Sequence, residues 1–443
     1  MTKNQKFGVV LFIILFSYFL ILMDNSIIFT SSVQIGRELG MNEAALSWVS
    51  NAYTITFGGF LLLMGRVGDF IGRKKIFLIG LAIFGLSSLA VGSSQNGAEI
   101  ILFRAVQGIG SSIIAPTSLA LLMDNYTDNM RTRAIAYYGA TAGIGSSVGL
   151  LLGGGLTALI SWRAGFLINV PFALFLFILT LTKIWSVPVK RQKIDVLGAI
   201  LSVAVAVLFV YGITVSNFWL IGLSVVLLIA FVFLEKSRNY ALMNLQLFAS
   251  RVRTGAYISR FIFMMAMLTY WFILPQIMQS LYHFSALQAG MGFLPLTIVN
   301  FIAALYLPQL TGKFGNARVM IVGQVILLLG VALSALIDPR HGYFLTMGLP
   351  MILTGLGQGW LLAPLTAAGV SGITPDLSGG ASGMTNTMHQ LGGPVGLSIV
   401  VLFTSGLAGN LVHYYQAVML FITGFLAVGL IVLLLTNRKK EAL

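Results

Sequence analysis

Fourteen stretches of about 20 mostly apolar residues run along this chain of 443 residues, and each is long enough to cross a bilayer. Of all residues, 58% are hydrophobic and only 9% are charged, whereas soluble domains carry about 25% charged residues. The composition therefore excludes an ordinary soluble enzyme, a disordered chain and a nucleic-acid-binding protein. We predict an all-α integral membrane protein with 14 transmembrane helices. The stretches begin near Gly8, Ala44, Ile76, Ile100, Ala134, Gly165, Val196, Phe218, Ala256, Leu287, Val319, Tyr343, Gly380 and Val412.

The distribution of basic residues predicts the orientation of the chain. If the N-terminus lies inside the cell, only Arg37, Arg163 and Arg340 of the 26 Lys and Arg residues fall in outer loops. Two more, Arg104 and Arg260, fall within spans, and all the others lie at inner ends. This asymmetry favours cytoplasmic positions for both termini, because inner loops are enriched in Lys and Arg. The alternative is a count of twelve spans, which would hold if the two apolar stretches at 196–234 did not span the membrane.

Two echoes along the sequence indicate a duplicated architecture. The second span ends in the run from Gly65 to Lys75, and the tenth ends in a fainter copy from Leu310 to Arg318. Proline recurs at matching places in the fourth and twelfth spans. We predict an N-terminal six-helix bundle (1–188), an inserted helix pair with its flanks (189–239) and a C-terminal six-helix bundle (240–443). Such halves, related by an axis along the membrane normal, occur in transporters, whose substrate site lies at the interface between the halves.

Asp24 is the one acid of twelve that falls well inside a span, outward of its middle. A carboxylate there costs at least about 2.5–3.5 kcal/mol, so it should face a cavity. Ser17 and Ser31 lie seven residues to either side and share its helix face. One interpretation is a carboxylate held by hydrogen bonds for structure. The other is a group that binds and releases a proton or cation.

Arg104 is the clearest base within a span, and Gln107 shares its helix face. An arginine in a membrane needs an acceptor, and Asp24 is the most plausible carboxylate. Burial would favour neutral Asp24 and the arginine would favour the charged form, so the two effects oppose each other. The alternative for Arg104 is bonding to backbone carbonyls or reaching outward. For Arg260, reaching towards the cytoplasm is the favoured interpretation.

A second polar stripe lies in the thirteenth span, where Asn386 and His389 share one face. A helix-packing hydrogen bond and a substrate contact are equally good explanations for His389. The other three histidines have no spacing typical of metal ligands, and the chain has no cysteine, so we expect no metal site. Aromatic and sulfur side chains suit varied aromatic cations, and helix packing explains the same residues equally well. The further candidates for a drug cavity are Tyr53, Phe263, Met264, Met267, Tyr270 and Trp271.

Glycines recur at spacings of four in the fifth span, where small residues let another helix approach closely. They are Gly145, Gly149, Gly153 and Gly154.

Four segments together resemble the motifs of major facilitator superfamily transporters, and in particular of the fourteen-helix drug/proton antiporters. Gly65-Arg-Val-Gly-Asp-Phe-Ile-Gly-Arg-Lys74 resembles the signature loop between helices two and three. The run from Leu102 to Gly110 resembles the fourth-helix motif, and the run from Leu22 to Phe29 resembles the first-helix motif. The run from Gly145 to Gly154 is similar to the fifth-helix antiporter motif, although Leu150 occupies the usual place of proline.

The resemblance implies alternating access between two bundles that rock about a central cavity. It also implies a conformational latch formed by Gly65, Asp69, Gly72 and Arg73. Asp69 would accept bonds from free N–H groups at the start of the thirteenth helix, near Ser378, because a carboxylate is favourable at a helix N-terminus. An alternative role for the basic cluster at Arg73 is to anchor the loop to lipid.

We therefore expect a multidrug efflux transporter of the bacterial cytoplasmic membrane that exports lipophilic or cationic drugs by proton antiport and works as a monomer. Charged Asp24 would attract a cationic drug, and protonation from outside would release it. The expected partners are the lipid bilayer, drugs and protons or Na⁺, without a cofactor or nucleic acid. Sodium coupling and a metabolite transporter of the same fold remain alternatives. An intramembrane enzyme is disfavoured because no His, Asp or Glu residues cluster near one membrane face.

Overall fold

Long apolar helices account for nearly all of the structure, because a chain in a bilayer has to satisfy its backbone hydrogen bonds within itself. The computed structural model describes residues 7–185, 195–238, 243–373, 377–407 and 409–437. Within these residues, fourteen helical segments are long and apolar enough to span a membrane, which confirms the predicted number of spans. The pair at 196–234 forms two separate helices, so the twelve-span alternative does not hold.

The helices of the first half are α1 (Val9–Glu38), α2 (Glu43–Ile71), α3 (Arg73–Gly92), α4 (Gly97–Asn125), α5 (Asp128–Leu159), α6 (Trp162–Leu167) and α7 (Asn169–Lys183). Two further helices follow, α8 (Val196–Thr214) and α9 (Phe218–Ser237). The second half contains α10 (Arg251–Leu281), α11 (Ala286–Met291), α12 (Leu294–Phe314), α13 (Asn316–Leu336), α14 (Leu349–Gly369), α15 (Ser378–Thr404) and α16 (Leu411–Thr436). The sixth and tenth spans each consist of a short and a long helix in sequence, namely α6 with α7 and α11 with α12.

The chain divides into two compact units, unit 1 (Met1–Val203) and unit 2 (Ala204–Leu443), and the division falls within α8. In unit 1, α1 packs on α5, α2 and α3 pack on α4, and α3 packs on α7. In unit 2, α10 packs on α15, α12 and α13 pack on α14, and α13 packs on α16. The same pairing order therefore occurs in both units, as a duplicated architecture requires.

The turns that link corresponding helices also have the same backbone conformation. Gly72, between α2 and α3, has φ +105°, and Gly315, between α12 and α13, has φ +80°. Side-chain-bearing residues rarely adopt positive φ, so glycine is required at both turns. Proline lies inside both α4 and α14, as Pro116 and Pro364. The faint sequence echoes thus correspond to matching structural features.

The surface of α9 shows how the chain accommodates lipid. Its side chains at Phe218, Trp219 and Phe233 are largely exposed. Large exposed apolar side chains are unfavourable in water and favourable against acyl chains. The extensive apolar surface therefore fits a protein embedded in a membrane.

Candidate functional site

Asp24 lies at the midpoint of α1, which has 30 residues, and its side chain is 0% exposed. The sequence predicted a place in the outer half of the span, because the end of the span was not visible from hydropathy alone. The helix continues to Glu38 and is longer than the hydrocarbon core requires. A carboxylate in this position has to be compensated by groups inside the protein.

Three side chains from two other helices of unit 1 donate hydrogen bonds to the Asp24 carboxylate. Arg104 Nη1 lies 2.6 Å from Oδ2, and Gln107 Nε2 lies 2.9 Å from Oδ1. Asn169 Nδ2, at the start of α7, lies 2.7 Å from the same Oδ1. Donors to a carboxylate stabilise its charged form. The site therefore holds an ion pair that no water reaches in this conformation.

The guanidinium of Arg104 is 0% exposed and is held from several directions. Its Nε donates to the carbonyl of Val49 at 3.1 Å, and its Nη1 also donates to Gln107 Oε1 at 2.7 Å. Its Cζ lies 4.2 Å from the centre of the Tyr53 ring and 5.5 Å from that of Phe166. Cation–π contacts of this kind stabilise a desolvated arginine.

Two neutral hydrogen bonds extend this network. Gln107 Nε2 donates to Ser88 Oγ at 2.8 Å, which ties α3 to α4. The Tyr53 hydroxyl donates to Ser111 Oγ at 2.8 Å. All members are fully buried in unit 1. Any change in the charge of the carboxylate therefore affects groups on most of the helices in the unit.

The structure brings together some of the predicted residues and leaves others apart. Arg104 binds Asp24, as expected. Gln107 also binds Asp24, and Tyr53, predicted as a lining residue of a drug cavity, packs on Arg104 instead. Ser17 instead donates to the Ile14 carbonyl of its own helix, and Ser31 bonds to Thr157 on α5. The spacing of seven residues predicted that both serines share the helix face of Asp24. Each, however, lies two turns away from the carboxylate and bonds to a nearer partner.

Asn169 and Ser88 belong to the network and were missed by the sequence analysis. Asn169 is the one amide in the mostly apolar sixth span, directly before Val170 and Pro171. That isolation was a usable signal, since a polar residue within a span marks a functional or structural site. Ser88 gave no such signal, because serines are frequent in these helices and bond to their own backbone.

The glycines of α5 lie against the part of α1 that carries Asp24. A Cβ atom added at Gly145 would come 3.2 Å from the Phe19 carbonyl oxygen, and one added at Gly149 would come 2.4 Å from that of Met23. At Gly153 the added atom would come 2.8 Å from the Cα of Ile27. Gly154 is buried next to Gly153. The predicted close helix packing is present, and it positions Asp24.

The residues of the predicted latch lie at the turn between α2 and α3. Gly72 forms the turn itself, and Gly65 faces Pro116 on α4, 3.7 Å from an added Cβ. Arg73 forms an ion pair with Asp124 and donates to the Ala120 carbonyl at 3.1 Å, so it binds α4. The side chains of Asp69 and Ser378 lie outside the described residues. The latch therefore stays a prediction.

The cavity candidates of unit 2 lie mainly inside the unit. Phe263, Met264, Met267 and Tyr270 are buried on α10, and Trp271 is half-buried. On α15, Asn386 is exposed and His389 is half-buried.

Arg260 does not reach towards the cytoplasm as predicted. It is 6% exposed, and its Nη1 donates to the Leu362 carbonyl at 3.0 Å and to Thr366 Oγ1 at 3.2 Å. Both acceptors lie on α14, which packs beside α10 and provides a nearer partner than the membrane surface.

Comparison with known proteins gives consistent relatives. The Major Facilitator Superfamily model matches residues 14–397 and 256–443. The MFS-type transporter EfpA of Mycobacterium tuberculosis is 33% identical over 85% of this chain and 73% of its own length. The cephamycin export protein CmcT of Amycolatopsis lactamdurans is 33% identical over 89% of this chain and 84% of its own. The crystal structure of a bacterial homologue of the lysosomal transporter Spinster shares the fold, with a TM-score of 0.72 at 13% identity and 98% coverage of both chains.

Proposed function

Since the chain belongs to the major facilitator superfamily of membrane transporters, we propose that it exports drugs in exchange for protons and that Asp24 binds the exchanged proton. It is a multi-pass membrane transporter and not an enzyme. Its relatives include proteins that export or confer resistance to antibiotics. The observation that supports proton exchange is the buried carboxylate of Asp24 with its three side-chain donors.

The energetics of the network explain why protonation would change the conformation. Charged Asp24 offsets the positive charge of Arg104, and both side chains are fully buried. Removing one partner of a buried ion pair costs about 3–5 kcal/mol, because the other charge is left uncompensated. Protonation of Asp24 removes its negative charge in the same way. The uncompensated charge of the Arg104 guanidinium is then stabilised in any conformation in which water or another acceptor reaches it.

This arrangement changes how drug and proton would compete. Both oxygens of Asp24 already accept bonds from protein donors, so a cationic drug has no access to them in this conformation. We infer that coupling is indirect. Protonation releases Arg104, the helices that hold it rearrange, and the affinity for drug changes with them. Binding of drug and binding of the proton then affect each other reciprocally, as linkage requires.

A proton fits the site better than Na⁺. A sodium ion needs several oxygen ligands, and one oxygen of Asp24 already lies 2.6 Å from the positive guanidinium. A sodium ion would therefore have to displace Arg104 from this oxygen before it could bind. A proton adds to a single oxygen atom and needs no further ligands. Two alternatives remain for the experiment to exclude, namely coupling to sodium and transport of a metabolite instead of a drug.

Efflux of ethidium from proteoliposomes tests the proposal when the pH gradient and the sodium gradient are varied separately. For the wild-type chain, a pH gradient alone drives efflux and a sodium gradient at fixed pH does not. Asp24→Asn keeps the size of the side chain and removes its exchangeable proton, so pH-driven efflux is abolished. Glu38→Gln is the matched control, because it removes an acid from the exposed end of the same helix.

Thermal unfolding in detergent establishes that each variant is folded. If folded Asp24→Asn shows normal pH-driven efflux, the proposed role of Asp24 is wrong. If the wild-type chain responds only to sodium, the coupling ion is wrong. If it moves no drug under either gradient, drug export itself is refuted.

A further inference from the structure

A polar and positively charged surface lies within unit 2, on three of its helices. We call it the Arg260 surface and define it by Arg260 on α10, Gln358 and Thr366 on α14, and Asn386 and His389 on α15. Arg260 lies nine residues into α10, about 14 Å from its start at 1.5 Å per residue. Most of the surface therefore lies well inside the spanning region, and Thr366, in the last turn of α14, marks its edge.

Several of these side chains are presented outward. Thr366 and Asn386 are exposed, and His389 is half-buried. An exposed amide in a spanning helix is costly against lipid, so this face has to meet water or a polar ligand. The side chain of Asn386 donates to the Ser382 carbonyl at 3.1 Å, which leaves its oxygen and its second N–H for another group.

Two buried polar atoms near Arg260 have unused hydrogen-bonding capacity. Within the described part of the chain, His389 Nδ1 and Gln358 Oε1 have no hydrogen-bond partner. Gln358 lies one helical turn before Leu362, whose carbonyl binds Arg260, and its residue is 6% exposed. His389 lies about one turn before Gly392 on α15, and a Cβ added at Gly392 would lie 2.1 Å from the carbonyl oxygen of Phe261, the residue after Arg260. Buried polar atoms without partners are unfavourable, and a bound ligand or water relieves this cost.

The charge of the region determines which ligand suits it. Helices α10 to α16 contain no Asp or Glu residue, whereas Arg260 contributes a permanent positive charge. The guanidinium is planar and presents paired N–H donors that match the two oxygens of a carboxylate. A neutral imidazole supplies one further donor.

We propose that the Arg260 surface binds the carboxylate of acidic or zwitterionic drugs. Arg260 forms the charge-assisted hydrogen bond, and His389 and Asn386 donate to the same group. The proposal rests on the proposed function, since it names a substrate class for that drug exporter. It extends the expected range of substrates from lipophilic cations to molecules that carry a carboxylate.

The experiment compares two probes that differ only in the carboxylate, a zwitterionic fluoroquinolone and its methyl ester. Efflux from proteoliposomes gives kcat/KM for each, and the ratio of acid to ester measures recognition of the carboxylate. Arg260→Gln lowers this ratio about tenfold or more, as expected for the loss of a hydrogen bond between charged groups. Arg260→Lys keeps the charge and loses the paired donors, so the ratio falls less.

Arg251→Gln is the matched control. It removes the same charge from an exposed position on the same helix and leaves the ratio unchanged. Asn386→Leu alters an exposed side chain, so it retains the fold even if Arg260→Gln does not. The ratio falls in this variant as well.

The outcomes separate the two proposals. If the wild-type chain exports neither probe, drug export itself is refuted. If it exports the ester and not the acid, or if the ratio stays at the wild-type value in folded Arg260→Gln and in Asn386→Leu, the carboxylate site is refuted while drug export stands. An equal fall of the ratio in Arg251→Gln also refutes the carboxylate site, because the effect would then come from the loss of any positive charge and not from Arg260.

Discussion

Replacing Gly149 by alanine tests whether the close contact between α1 and α5 positions Asp24. The added Cβ would lie 2.4 Å from the Met23 carbonyl oxygen, 2.8 Å from Ser26 Cβ and 2.9 Å from Met23 Cα. Ordinary contacts between such atoms are about 3.5 Å, so the two helices have to separate by about 1 Å. Backbone atoms account for two of these contacts, and a change of rotamer cannot relieve them.

The displaced segment of α1 carries the carboxylate, since Asp24 follows Met23 directly. A shift of about 1 Å is large compared with the tolerance of hydrogen bonds, whose useful range spans about 0.5 Å. The bonds from Arg104 and Asn169 to the carboxylate would lengthen beyond that range. We expect Gly149→Ala to lower the free energy of unfolding by about 1–3 kcal/mol, as for overpacking elsewhere. We also expect pH-driven efflux to fall about tenfold or more, because misplacement by 1 Å can cost up to a hundredfold in rate.

The assay is thermal unfolding in detergent, followed by efflux from proteoliposomes under a fixed pH gradient. Gly143→Ala is the matched control on the same helix, because an added Cβ there meets no atom within 4 Å. That variant keeps its efflux and gains about 0.5 kcal/mol or more from the better helix propensity of alanine. If Gly149→Ala and Gly143→Ala have the same melting temperature and the same efflux rate, the contact between α1 and α5 does not position Asp24.

Two further predictions concern the network and the repeated turns. Asn169→Leu removes the donor 2.7 Å from Asp24 Oδ1, and we expect it to lower the free energy of unfolding by about 1.5–3 kcal/mol; an unchanged melting temperature would contradict the geometry. Gly72→Ala places a Cβ at φ +105° and should cost about 1–3 kcal/mol. Gly222→Ala, which meets no atom within 4 Å, serves as its control in the same melting experiment, and equal melting temperatures would argue against strain at the turn.

The features that the sequence predicts are those that depend on local composition. Hydropathy finds the fourteen spans, because each helix has to be apolar over the thickness of the membrane. The ion pair of Asp24 with Arg104 follows from the scarcity of charge, since each buried ion requires a partner. The pairing of Asn169 with Asp24 required knowledge of the fold, because 145 residues separate them. The wrong prediction for Arg260 has the same cause, because α14 supplies its acceptors from a distant part of the chain.

The clearest sign of duplication is a packing contact that spacing along the sequence does not reveal. In unit 2, a Cβ added at Gly392 would lie 2.1 Å from the Phe261 carbonyl oxygen, and one added at Gly396 would lie 2.3 Å from that of Met265. In unit 1, Gly145 and Gly149 face the carbonyls of a phenylalanine and a methionine that are likewise four residues apart. The two helix pairs, α1 with α5 and α10 with α15, therefore share one register.

This shared register identifies the counterpart of Asp24. Asp24 follows Met23, and Ala266 follows Met265 and is also 0% exposed. The two units thus have the same glycine contact, and only unit 1 has the acid beside it. If this packing alone were enough to bind a proton, unit 2 would bind one as well, yet alanine has no group that titrates. The proposed proton coupling is therefore asymmetric between the units, and it depends on the side chains around Asp24.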